Sequence, residues 1–350
     1  MRHSIIPLFI PHYGCPYRCV FCNQVRITGV ETPVTPRDVA EEIRIYTETC
    51  KEPREWEAAF YGGSFTALSL SVMDALLAPA HEALLRGKIS AIRLSTRPDC
   101  IDSERLSLLQ SRGVRTVELG VQSLDDGVLE TAGRGHTAAD VARAVTLLRK
   151  FGFQIGLQFM QGLPGETMAS LRRTARMGAA LSPDFIRLYP VLVLKDTALC
   201  RMYEAGTYRP LSLDEAVHRC AFLKRYYARF GISVIRTGLQ ATEEFDRGES
   251  LAAGPYHPAM GELVDQYIAR HELLRAVRRL PRAAEIKIIC APKDRSKIMG
   301  HRRSTWEFLK KETAAALTIE EDSDLPTGNI KIVAAGDTCS SSLITHRSSL

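Results

Sequence analysis

The stretch Gly14-Cys15-Pro16-Tyr17-Arg18-Cys19-Val20-Phe21-Cys22-Asn23-Gln24 places three cysteines within eight residues, just after the apolar run at 5–10. Thiols this close do not pair conveniently as disulfides, and one is left over if two do. They can converge on a metal centre if the backbone curls around it. A four-iron, four-sulfur cluster offers four irons, each taking one terminal thiolate, so three protein ligands leave one iron open to bind and activate a substrate. Structural zinc is the competing reading; it wants a fourth ligand, and His12 is close enough in sequence to supply one. The other six cysteines, at 50, 100, 200, 220, 290 and 339, are scattered singly and read as small buried hydrophobes.

Outward from this loop, short apolar runs alternate with helical patterns, as a parallel α/β domain requires. Strands are expected at 5–10, 56–61, 91–95, 114–120, 154–160 and 185–189. Between them, helices are expected at 35–49, 71–85, 102–112, 137–151 and 167–181. Thr35-Pro36 supplies an N-cap followed by proline at the first helical position. At least six β/α units predict a partial (β/α)6 TIM-like barrel. No G-x-G-x-x-G follows the first strand, which weakens the dinucleotide-binding alternative. In β/α barrels chemistry collects on loops at the strands' C-terminal ends. The cysteine loop and every polar motif described below fall there.

Composition narrows the class. The chain has 350 residues, 45% of them hydrophobic and 25% charged, with a mean hydropathy of -0.09. These are values of an ordinary globular chain of about two domains, so extensive disorder and collagen-like repeats are excluded. No apolar run approaches the ~20 residues of a membrane-spanning helix, and the N-terminal apolar stretch is too short for a signal peptide. A cytoplasmic, reducing location without membrane contact is expected. The reading assigns residues 1–240 to the barrel, 241–335 to a small basic C-terminal α/β domain and 336–350 to a disordered tail. In the small domain, helices are expected at 258–276 and 305–311, and strands at 285–290, 318–321 and 330–333.

The motifs on the strand ends are Tyr61-Gly62-Gly63-Ser64-Phe65-Thr66, Ser95-Thr96-Arg97-Pro98-Asp99, Glu118-Leu119-Gly120-Val121-Gln122-Ser123, Arg134-Gly135-His136-Thr137 and Met160-Gln161-Gly162-Leu163-Pro164-Gly165-Glu166. With the C-x3-C-x2-C spacing, they resemble the radical S-adenosylmethionine superfamily. The likeness is to the radical domain of the Elongator catalytic subunit and, more distantly, to oxygen-independent coproporphyrinogen III dehydrogenases. It covers roughly residues 4 to 240.

The resemblance implies an enzyme that holds a 4Fe-4S cluster on Cys15, Cys19 and Cys22. S-adenosylmethionine binds its open iron and is cleaved reductively to a 5′-deoxyadenosyl radical that abstracts hydrogen. Gly62, Gly63 and Ser64 match a motif contacting the methionine amino group, and Ser95 stands where these families place a glutamate. Gln122 matches a ribose-binding residue, Arg134 one that pairs with the methionine carboxylate, and Gln158 a position used for the ribose hydroxyls. The resemblance also implies an electron donor such as flavodoxin or ferredoxin.

Two features depart from Elongator proteins. They have a longer first cysteine gap, and they carry an acetyltransferase domain whose acetyl-CoA phosphate loop is not found here. Past the sixth strand, Lys195 and His257 are weaker candidates for an anion contact and an acid–base group. Three readings remain open: a radical enzyme modifying tRNA or other RNA, one acting on a small molecule such as a tetrapyrrole or cofactor precursor, and a non-catalytic iron–sulfur or RNA-binding protein. The charge bears on the choice. Of the net +6, residues 270–311 carry thirteen Lys/Arg against four acids, so this segment holds the whole excess. Such a basic cluster is what docking a polyanion needs.

Overall fold

The computed structural model describes residues 2–10, 15–23, 34–50, 54–239, 247, 250–280, 284–300, 303–334 and 337–343. They form two compact units. The first holds the described residues up to Ser212 and those from 247 to Pro255; the second holds Leu213–Leu239 and those from Tyr256 onward.

In the first unit six strands lie side by side in chain order, all parallel: β1 (Arg2–Ile10), β2 (Arg54–Gly62), β3 (Ala91–Thr96), β4 (Val114–Gln122), β5 (Gln154–Gln161) and β6 (Phe185–Pro190). The connecting helices are α1 (Pro36–Thr49), α2 (Leu70–Leu85), α3 (Ser103–Ser111), the short α4 (Asp126–Thr131), α5 (Ala138–Lys150) and α6 (Met168–Ala180). Each begins on an oxygen-bearing cap. Thr35 and Thr137 close capping boxes with Asp38 and Asp140, Thr167 closes one with Ser170, and Ser69, Asp102 and Asp125 each accept a first-turn N–H. Caps of this kind are worth about 1 kcal/mol apiece and set where each helix starts.

Strand alternation separates two faces. Ile6, Leu8, Phe60, Ile92, Leu94, Val117, Leu119, Ile155, Leu157, Phe159, Ile186 and Leu188 form the buried apolar face. The opposite face carries Glu57, Tyr61, Arg93, Ser95, Glu118, Gln158, Arg187 and Tyr189. The sheet is curled, as a partial barrel requires. Arg187 Nη2 on β6 donates to the Tyr61 hydroxyl on β2 at 3.0 Å. In a flat sheet, four strand spacings would separate these backbones by ~19 Å, beyond the joint reach of the two side chains.

Beyond β6 come β7 (Val193–Leu194), α7 (Ala198–Glu204) and β9 (Leu251–Ala253), with β7 and β9 pairing antiparallel. The second unit contains α8 (Leu213–Ala228), β8 (Ser233–Thr237) and α9 (Met260–Val277). These are followed by β10 (Glu285–Cys290), α10 (Arg295–Met299), α11 (Ser304–Thr313), β11 (Ala316–Glu321), β12 (Asn329–Ala334) and β13 (Asp337–Ser342). A four-stranded sheet in the order β11-β10-β12-β13 packs Ile286, Ile288, Ile330 and Ile332 with Trp306, Leu309, Ala269 and Leu273 in one apolar cluster.

Two expectations change here. Residues 213–239, read with the barrel, group with the C-terminal part because α8 packs on α9, with ion pairs Lys224–Asp265 and Arg225–Glu272. The segment read as a tail from 336 contains β13, an edge strand antiparallel to β12. Its Ser/Thr composition hid a strand whose Cys339 opposes Ile332 and packs against the core. Residues 344–350 lie outside the described residues, as do His12, Gly14, Gln24 and 240–242. Among the described residues no helix is long and apolar enough to cross a membrane.

Candidate functional site

The cysteine loop leaves the C-terminal end of β1 and is sewn to its surroundings by main chain and side chain. Val20 N–H donates to Ala132 O at 3.1 Å, and Val20 O accepts from Leu199 N–H at 2.7 Å. Val20 and Phe21 pack against a cluster containing Val128, Ala132, Leu163, Val191 and Leu199. The aromatic before the last cysteine is therefore an anchor for the loop. Within it, Cys22 N–H donates to Cys19 O at 3.1 Å. Cys19 is buried, whereas Cys15 and Cys22 are half-buried.

The glycines at the end of β2 serve this loop sterically. Gly62 has φ +110°, and a Cβ there would stand 2.5 Å from Ile10 O. Gly63 N–H donates to that same oxygen at 2.7 Å. Only a residue without a side chain lets β2 press so closely on the last residue of β1. Ser64, fully buried, shares hydrogen bonds with Thr96 Oγ1 at 3.0 Å and with Arg97 N–H at 3.3 Å. Its hydroxyl joins the β2 and β3 loops.

Arg97 and Arg134 tie these loops to the cysteines. Arg97 makes a two-pronged pair with Asp99, at 2.9 Å on each prong. It lies 4.8 Å from the Tyr17 ring centroid and donates to the carbonyl of Arg134. Arg134, 6% exposed, points Nη1 at Cys19 Sγ at 3.2 Å and Nη2 at Gly120 O at 2.5 Å. Its Nε is buried without a partner among the described residues. Gln122 sits at φ +66°, beside a register shift in the β4–β5 pairing. Such a bulge re-aims a side chain, and Gln122 Oε1 accepts from Gln158 Nε2 at 3.1 Å.

Several of the expected residues thus form one connected constellation. It runs from Ser64 through Arg97 and Arg134 to Cys19, and from Arg134 through the Gly120 carbonyl toward the Gln122–Gln158 pair. Ser95 lies on the inward face of β3, without a hydrogen bond among the described residues. Lys195 is exposed, and His257 Nδ1 is used in accepting the Ala259 N–H at the start of α9.

The donor set fits an iron–sulfur cluster. It is three sulfurs on one short loop, soft donors of the kind an iron–sulfur cluster takes. One zinc ion needs all its ligands within a single ~2.3 Å shell; a four-iron cube spreads three thiolates over three irons. Burial pushes the Cys15 thiol up, against the pull of Arg97 and Arg134. The two guanidiniums would offset the anionic charge of a cluster and its thiolates, and Arg134 Nε, without a partner among the described residues, would be a donor to a bound anion.

Burial, reinforced by Arg134 and Arg97, draws His136 down from 6.5 to about 4. It is 3% exposed and makes one bond, Nε2 with Val121 O at 3.2 Å. Because the folded state resists protonation, this contribution to stability is complete above pH 6.5 and is lost as pH falls toward 4. Urea denaturation of the metal-free protein between pH 7 and 4 should show a component of up to about 3 kcal/mol that disappears in His136→Asn. An equal slope in both proteins would reject this origin.

A group that sequence reasoning passed over lies below the rim. Glu118 pairs with Arg93 at 3.1 Å and with Arg187 at 2.6 Å; Arg93 also binds Glu57, which His3 approaches at 3.2 Å. Arg187 donates to the hydroxyls of both Tyr61 and Tyr189. Burial, with Glu118 beside it, pushes the Tyr61 phenol up, so it stays protonated. The available signal was one charged residue in the middle of each of four apolar strands.

Comparison with known proteins bears on the family and the fold. The family model described as Radical SAM superfamily matches residues 9–178, and that described as Radical_SAM C-terminal domain matches 183–270. An uncharacterized protein of Methanocaldococcus jannaschii is 29% identical over 230 residues, covering 60% of this chain and 68% of that protein. A tRNA uridine(34) acetyltransferase from the same organism is 30% identical over 310 residues, covering 77% of this chain. The match spans only 56% of the acetyltransferase's own length. Among solved structures, an N-terminally truncated Elp3 of Methanocaldococcus infernus superposes with a TM-score of 0.60 at 20% identity, covering 77% of this chain and 64% of that one.

Proposed function

The chain belongs to the radical SAM superfamily, and from that premise we propose that it is a radical enzyme that modifies RNA, with tRNA as the substrate class. One observation carries the choice of substrate. The likeness to a tRNA uridine(34) acetyltransferase covers 77% of the chain, more than the first unit alone contains, and so reaches into the unit that holds the basic segment.

In this reading Cys15, Cys19 and Cys22 hold a 4Fe-4S cluster, and Arg134, Gln122, Gln158, Ser95 and the Gly62-Gly63-Ser64 turn receive S-adenosylmethionine. When bound, the pair supplies a 5′-deoxyadenosyl radical once an external donor such as flavodoxin or ferredoxin delivers an electron. Arg134 brings fixed positive charge to the thiolates and, through Nε, to a carboxylate. The Gln122–Gln158 amides offer both donor and acceptor atoms to a ribose. Arg97 keeps Arg134 in place through its carbonyl, and the Val20–Phe21 anchor holds the thiols together.

Several cations in the basic segment of the second unit are neutralised locally. Lys287 pairs with Glu320, Arg295 with Glu321, Arg278 with Glu312 and Lys297 with Asp294. Arg279, Lys293, Arg303 and Lys311 have no ion pair among the described residues, and these are the groups offered to phosphates. Total tRNA should bind at low salt and be released as salt rises, since phosphate contacts dominate such affinity. Filter retention measures this. Absence of binding at the lowest salt rejects RNA as the substrate, and mass spectrometry of nucleosides and small metabolites from a deletion strain then identifies the true one.

A further inference from the structure

We infer that an aromatic face of the second unit is a stacking surface for single-stranded RNA, an inference that rests on the RNA reading above. His218, Phe222, Tyr226 and Phe230 follow one another at intervals of four, so α8 and the turn after it carry them along one side. The opposite side of α8 is the buried one, with Ala216, Val217, Cys220, Ala221, Leu223 and Tyr227. Phe230 is 57% exposed, and Phe222 and Tyr226 are half-buried.

The rings are close enough to act as a series. Centroids are 6.0 Å apart for Phe222–Tyr226 and 5.4 Å for Tyr226–Phe230. A second group of rings joins α8 to α9, with Tyr267 5.9 Å from His218 and His271 4.0 Å from Tyr267 and tilted by 31°. Single exposed aromatics are ordinary, but three rings in contact that end on the exposed Phe230 form a patch of the kind that marks an interaction surface.

Charge selects the occupant. Between 218 and 230 the sequence has Arg219, Lys224, Arg225 and Arg229 and no acid. The two neighbouring carboxylates of α9 are held by cations, Asp265 by Lys224 and Glu272 by Arg225 and Arg275. Arg270 lies 5.7 Å over the Tyr267 ring, a guanidinium–aromatic pairing that suits a base. Rings for bases and, in the exposed Arg229, a cation without an ion pair among the described residues for phosphates favour a single strand over an apolar protein contact, the acids of α8 being confined to its first turn at Asp214 and Glu215. Duplex RNA keeps its base faces stacked and cannot use it.

The test compares a labelled single-stranded oligoribonucleotide of about 12 nucleotides with a duplex of equal length, by fluorescence anisotropy on the cluster-loaded protein. The single strand should bind more tightly. Phe230→Ala and Tyr226→Ala should each weaken it by roughly tenfold without altering the salt dependence, while Arg229→Gln lowers the salt slope by about one. Phe230 is exposed, so F230A keeps the fold, which circular dichroism verifies.

Equal affinity for single strand and duplex, or aromatic variants that bind like the wild type, would overturn the inference and leave the RNA reading standing. If no RNA binds in any form, the RNA reading itself falls. Self-association that F230A abolishes would make the face a contact between copies of this chain, which also overturns the inference.

Discussion

Cys19→Ala is expected to take the iron content of the reconstituted protein from about four per chain to less than one. With the iron go the visible absorbance of the cluster and all dithionite-dependent cleavage of S-adenosylmethionine. Cys19 is buried within the loop, with the Arg134 guanidinium 3.2 Å from its sulfur and its carbonyl holding the Cys22 N–H. An alanine there removes one of three attachment points and leaves a buried cation facing a methyl group. Cys15→Ala and Cys22→Ala should behave alike, whereas Cys50→Ser, at the end of α1, should load iron normally. Iron and zinc are measured together, anaerobically. Full iron in Cys19→Ala would break the ligand assignment, and one zinc per chain in the wild type would replace the cluster with the mononuclear alternative.

The largest effect on folding should come from Glu118→Ala. Glu118 is 3% exposed and is the acid shared by Arg93 and Arg187. Its removal leaves Arg187 buried with only phenol oxygens as partners, while Arg93 retains Glu57. Breaking one side of a buried pair typically costs about 3–5 kcal/mol, a large part of the stability of an ordinary domain. Urea denaturation measures it. Replacing both members, as in Glu118→Leu with Arg187→Met, should recover much of the loss, because the unpaired charge is gone. A single variant as stable as the wild type would mean that water already reaches these groups.

Element types in the barrel were legible because each strand is a short, mainly apolar run and each helix opens on a cap residue with a recognisable partner. Thr35-Pro36 and Thr137 located helix starts to within a residue. The site was legible as a set of motifs, but the function of individual atoms was not. Ser64 reads as a ligand contact in sequence, yet its hydroxyl is committed to Thr96 and Arg97. The bulge that turns Gln122 toward Gln158 has no local signature, since it arises from a mismatch between β4 and β5. Glu57, Arg93, Glu118 and Arg187 escaped notice because each is ordinary alone; only the folded sheet brings residues 25 to 69 positions apart into ion pairs. The boundary after Ser212 was missed for a similar reason, as the packing of α8 on α9 is a long-range choice.

The chain of ion pairs has a consequence for the evolution of substrate range. It links β1, β2, β3, β4 and β6 across the open side of the sheet through side chains of fixed length. The calibre of the half-barrel is therefore gauged by one arginine and one tyrosine, and cannot widen without stranding a buried charge. New substrates must be accommodated by the loops at the strand ends. The barrel itself stays a constant-bore fitting.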